Sequence, residues 1–176
     1  MKLTLTELPS PQGTLLLVTD DEQRVRALDF AERRSRLHKN LQEHYGAYEL
    51  TEGEAPAAIV HALERYFAGD LTALDAIEVA TAGTPAQELA WAALRRIPVG
   101  RTATYTEIGR AMGITDWRAA VDAGAAVGAN PIALIVPCHR VIAANGDLKG
   151  YAWGLHRKRW LLEHEKALQP QTESLF

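Results

Sequence analysis

Apolar and polar residues alternate through three short runs at the start of the chain, Leu3 to Leu8, Thr14 to Thr19 and Val25 to Phe30. Pro9-Ser10-Pro11-Gln12-Gly13 separates the first pair and Asp20-Asp21-Glu22-Gln23 the second, so the pattern predicts an antiparallel meander. The period then changes. From Glu32 to Tyr45 charged residues surround Leu37 and Leu41, as on a surface helix, and Ala57 to Ala68 places Ile59, Val60, Leu63, Tyr66 and Phe67 at helical spacing. Residues 1–80 therefore read as a small α/β domain.

Ala80-Thr81-Ala82-Gly83 is the expected junction, and a mainly helical unit over residues 84–168 follows it. Thr84-Pro85-Ala86-Gln87 has the makings of a capping box with proline at the first helical position, ahead of Leu89, Trp91, Leu94 and Ile97. Thr104-Tyr105-Thr106-Glu107 repeats the box before a short helix that closes at Gly113. Asp116 is the expected cap of a third helix reaching about Gly128. Two short helices joined by a Gly-containing turn predict a helix-turn-helix. From Ala119 onward the second of them is almost all Ala, Val and Gly, so it carries no base-reading side chain beyond Arg118. It reads either as a buried Ala-rich helix or as a smooth helix, with Ala119, Ala120, Ala123 and Gly124, able to enter a narrow groove. Asn130-Pro131 ends it. Ile132 to Val136 reads as a buried strand, Asn145-Gly146 as a hairpin turn, and Leu155 to about Leu168 as a last helix, with residues 169–176 a frayed tail.

Charge changes the picture because it is uneven. Residues 1–84 hold 8 Lys/Arg against 14 Asp/Glu, whereas residues 85–176 hold 11 against 8, which puts the basic excess in the helix-turn-helix half. No apolar run approaches the ~20 residues that span a bilayer, and the alternating start is unlike a signal peptide, so a soluble intracellular protein with no membrane partner is expected. The single cysteine, Cys138, excludes an internal disulfide and a multi-cysteine zinc site. No metal and no cofactor are expected.

That cysteine sits in Pro137-Cys138-His139-Arg140-Val141. A free thiol is only about 3% thiolate at neutral pH, and nucleophilic attack needs the thiolate, which a histidine oriented by a carboxylate can generate. Glu163 and Glu165 on the last helix are candidates for that carboxylate. An isolated Cys-His pair is more often a core thiol with a casual neighbour. Here it follows the helix-turn-helix and the Asn-Pro hinge, and it precedes Gly150-Tyr151 and Trp160-Leu161-Leu162-Glu163-His164-Glu165.

In that order these motifs closely resemble the O6-alkylguanine-DNA alkyltransferase (methylated-DNA–protein-cysteine methyltransferase) family over residues 84–166. The first domain is similar more loosely, through strand order and Tyr66-Phe67-Ala68-Gly69. The resemblance implies a ribonuclease-H-like first domain, a winged helix-turn-helix, and a monomer acting on double-stranded DNA that carries alkylated bases. It further implies that Cys138 accepts the alkyl group irreversibly, once per molecule, with His139 as base through a water and Glu165 orienting it. Asn130 would hold the hinge and Tyr105 would press on the target phosphate. Arg140 would contact DNA, and Tyr151, Ala152, Trp153 and Val141 would shape the guanine pocket. The motifs do not separate O6-alkylguanine from O4-alkylthymine.

The chain departs from the family in the recognition helix, where an arginine fills the space of the flipped base. Counting back from Asn130 that position is Val121, and counting forward from Tyr105 it is Ala119, beside Trp117 and Arg118. Arg118 is the expected wedge, with Trp117 the alternative. Trp153 stands where some relatives have glycine, which predicts a pocket narrowed against O6-benzyl groups. Two other functions compete: a DNA-binding lesion sensor or regulator without alkyl transfer, and a thiol hydrolase.

Overall fold

Strand β2 (Leu15–Asp20) is buried along its whole length, because the sheet it centres is covered on both faces. Leu15 and Leu17 point into the main core with Leu28, Phe30, Leu63 and Tyr66, while Leu16 and Val18 alternate to the other side and meet Leu3, Leu5, Leu37 and Leu41. The structure, a computed structural model, describes residues 1–169. β1 (Lys2–Leu8), β2 and β3 (Val25–Phe30) form the expected antiparallel meander, with Leu5 opposite Val18 and Leu17 opposite Leu28. A fourth strand, β4 (Glu49–Glu52), adds parallel to β1 and gives the order β3-β2-β1-β4. Its Glu-Leu-Thr-Glu sequence has too little apolar content to be seen in the pattern.

The open edge of β3 is where the two parts of the chain meet. Val25 bridges Val79 of the connecting segment, and Leu28 exchanges hydrogen bonds with Pro131 and Ala133. Helices α1 (Arg34–Tyr45) and α2 (Ala57–Phe67) lie where periodicity places them, α1 opening through a 3-10 turn at Ala31–Arg33. α3 (Pro85–Arg95) has the complete Thr84–Gln87 capping box. In α4 (Tyr105–Ala111) the box is half made: Thr104 Oγ1 accepts from Glu107 N, but the Glu107 carboxylate turns to the Thr104 hydroxyl instead of the backbone. α4 and α5 (Ala119–Gly128) cross so closely that a Cβ on Gly109 would lie 2.2 Å from the Ala119 carbonyl.

Four local expectations are corrected. Asp116 does not cap α5; it closes a turn before it by accepting from Arg118 N at 3.0 Å and pairing with the Arg118 guanidinium. Ile132 to Val136 is buried but is no strand. After the single bridge to Leu28 it coils through Leu134 at φ +66, with the Ile132 and Val136 carbonyls taken by the Asn130 side chain. An unbroken apolar run reports burial and carries no period that would distinguish strand from coil. Asn145-Gly146 makes a turn, but the short strand before it, β6 (Val141–Ile142), pairs in parallel with β5 (Ala103–Thr104) and forms no hairpin. The last helix, α6 (Leu155–His164), stops four residues short. Lys166 takes the left-handed conformation at φ +63, and Ala167 N and Lys166 N bond back to Leu162 O and Glu163 O as in a Schellman motif. The tail beyond Gln169 lies outside the described residues. Among the described residues no helix is long and apolar enough to cross a membrane.

Candidate active site

Asn130 is fully buried just past α5, and its side chain substitutes for backbone partners that a strand would have supplied. Nδ2 donates to Val136 O at 2.8 Å and Ile132 O at 3.2 Å, while Oδ1 accepts from Ile132 N at 3.0 Å. One side chain thus fixes the coil that delivers Cys138 into a 3-10 turn over Cys138–Arg140. The thiol is 4% exposed at the inner wall of a cleft of about 640 Å³. Burial pushes its pKa up, opposed by the Asn130 amide and the charges of Arg36 and Lys158, so the resting thiol is protonated.

Behind it, His139, Arg140 and Glu165 form a buried cluster. Glu165 Oε2 accepts from His139 Nε2 at 2.8 Å and from Tyr66 Oη at 2.6 Å, and Arg140 binds both carboxylate oxygens through Nε at 2.8 Å and Nη2 at 3.1 Å. Arg140 Nη1 completes its own shell on Ile97 O at 2.7 Å. The burial of Glu165 alone would raise its pKa, but His139 and Arg140 hold the carboxyl well below the usual range. An ionised carboxylate only accepts, so Nε2 carries the donated hydrogen and a neutral imidazole keeps its lone pair on Nδ1. Nδ1 meets no protein partner among the described residues. The arrangement is a histidine oriented to take a proton, one residue from the thiol.

The structure sorts the remaining expected site residues. Tyr105, Tyr151 and Ala152 line the cleft, as do Ala120, Val121 and Gly124 of α5. Ala119 and Ala123 do not face the groove side; both are buried in the α5 packing face. Trp117 is 82% exposed and Val121 66%, while Arg118 is an exposed side chain already paired with Asp116. Arg140, expected at the DNA surface, is buried in the Glu165 ion pair and has no path to a phosphate. Val141, expected in the pocket, lies in the core opposite Ala103. Trp153 points away from the cleft and packs on Phe30 of the sheet domain, with Nε1 donating to Asp29 Oδ1 at 2.9 Å. The pocket narrowing expected of its indole therefore has no geometric basis.

Other site groups were not assigned to the site from the sequence. Tyr66 enters from the sheet domain; in the sequence it stood out at helical spacing and in the Tyr66-Phe67-Ala68-Gly69 string, neither of which points to Glu165. Lys158 sits in the basic helix start His156-Arg157-Lys158-Arg159, where the sequence assigns it no role. It is buried, with Nζ donating to the carbonyls of Val141 at 2.7 Å, Gly150 at 3.2 Å and Leu148, so it closes the loop between β6 and α6. Burial lowers its pKa to about 8.

Comparison with known proteins places this geometry. Residues 3–81 match the family model described as 6-O-methylguanine DNA methyltransferase, ribonuclease-like domain, and residues 85–167 match its DNA binding domain. A methylated-DNA–protein-cysteine methyltransferase of Salmonella typhimurium is 42% identical over 167 residues, 94% of this chain and 96% of the relative. One from Mycobacterium bovis is 50% identical over 117 residues, 66% of this chain and 69% of the relative. Among solved structures, Mycobacterium tuberculosis OGT in complex with DNA superposes with a TM-score of 0.79 at 40% identity, covering 93% of each chain.

Proposed function

Because the chain belongs to the 6-O-methylguanine DNA methyltransferase family, we propose that Cys138 is the atom-level acceptor in its reaction. The protein is a methylated-DNA–protein-cysteine methyltransferase that repairs duplex DNA by alkyl transfer. The observation that carries the site reading is the buried hydrogen bond from His139 to Glu165, on the residue next to Cys138, which itself lines the cleft. The protonated thiol gives its proton through a water to His139 Nδ1 as the base enters. Sγ then forms a bond to the alkyl carbon while the bond from that carbon to guanine O6 breaks, and the proton ends on the released guanine. The product is a thioether with no good leaving group, so the molecule is spent.

A base inside the duplex offers the thiol no line of approach, so the target must leave the stack at a cost of a few kcal/mol. Tyr105, at the start of α4, presses on its phosphate, and the small-residue face of α5 at Ala120 and Gly124 lets the helix approach a minor groove. The vacated space falls to the exposed start of α5, with Arg118 as wedge and Trp117 beside it. Tyr151 and Ala152 wall the base pocket, which suits O6-alkylguanine and leaves room for O4-alkylthymine. We place the protein in the cytoplasm with its DNA, and we divide it into domains at residues 1–80 and 84–168.

An excess of duplex carrying one O6-methylguanine tests the reading. Methyl loss is expected to stop at one per protein molecule. Continued turnover would indicate a hydrolase, and tight binding with the lesion intact would indicate a sensor.

A further inference from the structure

The loop from Ala143 to Gly154 forms one wall of the cleft yet contains no regular secondary structure, so its shape depends on side-chain anchors. Lys158 ties its middle, at the carbonyls of Leu148 and Gly150, to Val141 O of β6, and Arg157 Nη1 holds Trp153 O at 3.0 Å. The third anchor comes from the other domain. Asp29, on β3, is wholly buried, and its Oδ1 accepts from Trp153 Nε1 at 2.9 Å and from Arg36 Nη1 at 3.2 Å. The Arg36 guanidinium lies 4.6 Å from the centroid of the Trp153 ring, and Nη2 donates to Gly128 O and Asn130 O, each at 2.9 Å. Trp153 in turn meets Tyr151 edge-on at 5.0 Å.

One carboxylate thus reaches both walls of the cleft. Through Trp153 it touches the loop bearing Tyr151 and Ala152, and through Arg36 it touches the end of α5 and the Asn130 hinge. The cluster is an expensive way to fill a core. Asp29 Oδ2 has no partner among the described residues, and burial pushes the carboxyl up to about 6 against the pull of Arg36 and Trp153. Buried ion pairs are weak contributors to stability compared with apolar packing, whereas they do fix direction.

We propose that Asp29 is a positioning residue for alkyl transfer, which aligns the Tyr151 wall and the Asn130 hinge on Cys138 from the sheet domain. This rests on Cys138 being the acceptor. Asp29→Asn keeps the shape and removes the charge; Trp153→Phe keeps a ring and removes the N–H donor. Each variant is compared with wild type in single-turnover transfer from a methylated duplex, at a temperature where melting curves show it folded. The first-order transfer rate at saturating duplex is expected to fall about tenfold in each, because misplacement of the reacting groups acts on the transfer step. Duplex Kd is expected to stay within about twofold. Single-variant rates near wild type, or a loss that sits in Kd, would each overturn the proposal while Cys138 still becomes methylated. A wild-type protein that leaves Cys138 unmodified overturns the acceptor reading, and this inference with it.

Discussion

Cys138→Ser is expected to accept no methyl group from an O6-methylguanine duplex while binding that duplex as the wild type does. The hydroxyl is the same size to a first approximation, so the 3-10 turn and the Asn130 contacts to Ile132 and Val136 survive the change. What is lost is the nucleophile. A thiol can be ionised by a neighbouring histidine near neutral pH, but an alcohol oriented for sulfur chemistry cannot substitute for it. Transfer of a radiolabelled methyl group and fluorescence anisotropy with labelled duplex measure the two halves separately. Loss of binding along with transfer would show that the thiol shapes the groove and is not its reactive group.

Glu165→Ala is expected to have the largest effect on stability. Removing the carboxylate leaves the Arg140 guanidinium buried with only Ile97 O as a partner, strips His139 Nε2 of its acceptor and unpairs Tyr66 Oη. Breaking a buried pair on one side costs ~3–5 kcal/mol, read as a shift in the denaturant midpoint. Transfer in the surviving folded fraction is expected to drop by about two to four orders of magnitude, the range general-base assistance supplies. The pH dependence has a definite sign. The folded-state pKa of Glu165 lies below its ordinary value of 4.5, so its contribution is fully present above that value and disappears as pH falls through the folded pKa. The gap in stability between wild type and Glu165→Ala should therefore be widest at neutral pH and shrink below pH 4.5. A gap independent of pH would mean the carboxylate's charge is not what holds the cluster.

The sequence shows the fold where one period runs long enough to be counted. The meander, α1, α2 and the Thr84 cap all follow from local spacing, and each formed. β4 escaped because a four-residue polar edge strand has no pattern of its own; it exists because the exposed edge of β1 is there to pair with. The early stop of α6 escaped because the residue that takes the left-handed cap conformation is Lys166 and not a glycine.

The Pro137-Cys138-His139-Arg140 string stood out as a candidate because its residues are adjacent. Its surroundings were not. Arg140 read as a DNA contact since a sequence cannot show that a carboxylate 25 positions later neutralises it in the core. Trp153 read as a pocket wall since the chain gives the residue but not the direction of its ring, which Asp29 and Arg36 set from the other domain. Lys158 drew no assignment because only the folded chain reveals the three carbonyls that it serves. In each case the missing information is a partner distant in sequence.

Repair turns on a single sulfur, and intact-protein mass spectrometry with peptide mapping tests that most directly. After one equivalent of O6-methylguanine duplex, the protein is expected to gain the mass of one methyl group in place of a hydrogen, confined to the peptide that contains Cys138. An unmodified protein beside a repaired duplex, or a methyl group mapped to any other residue, would contradict it.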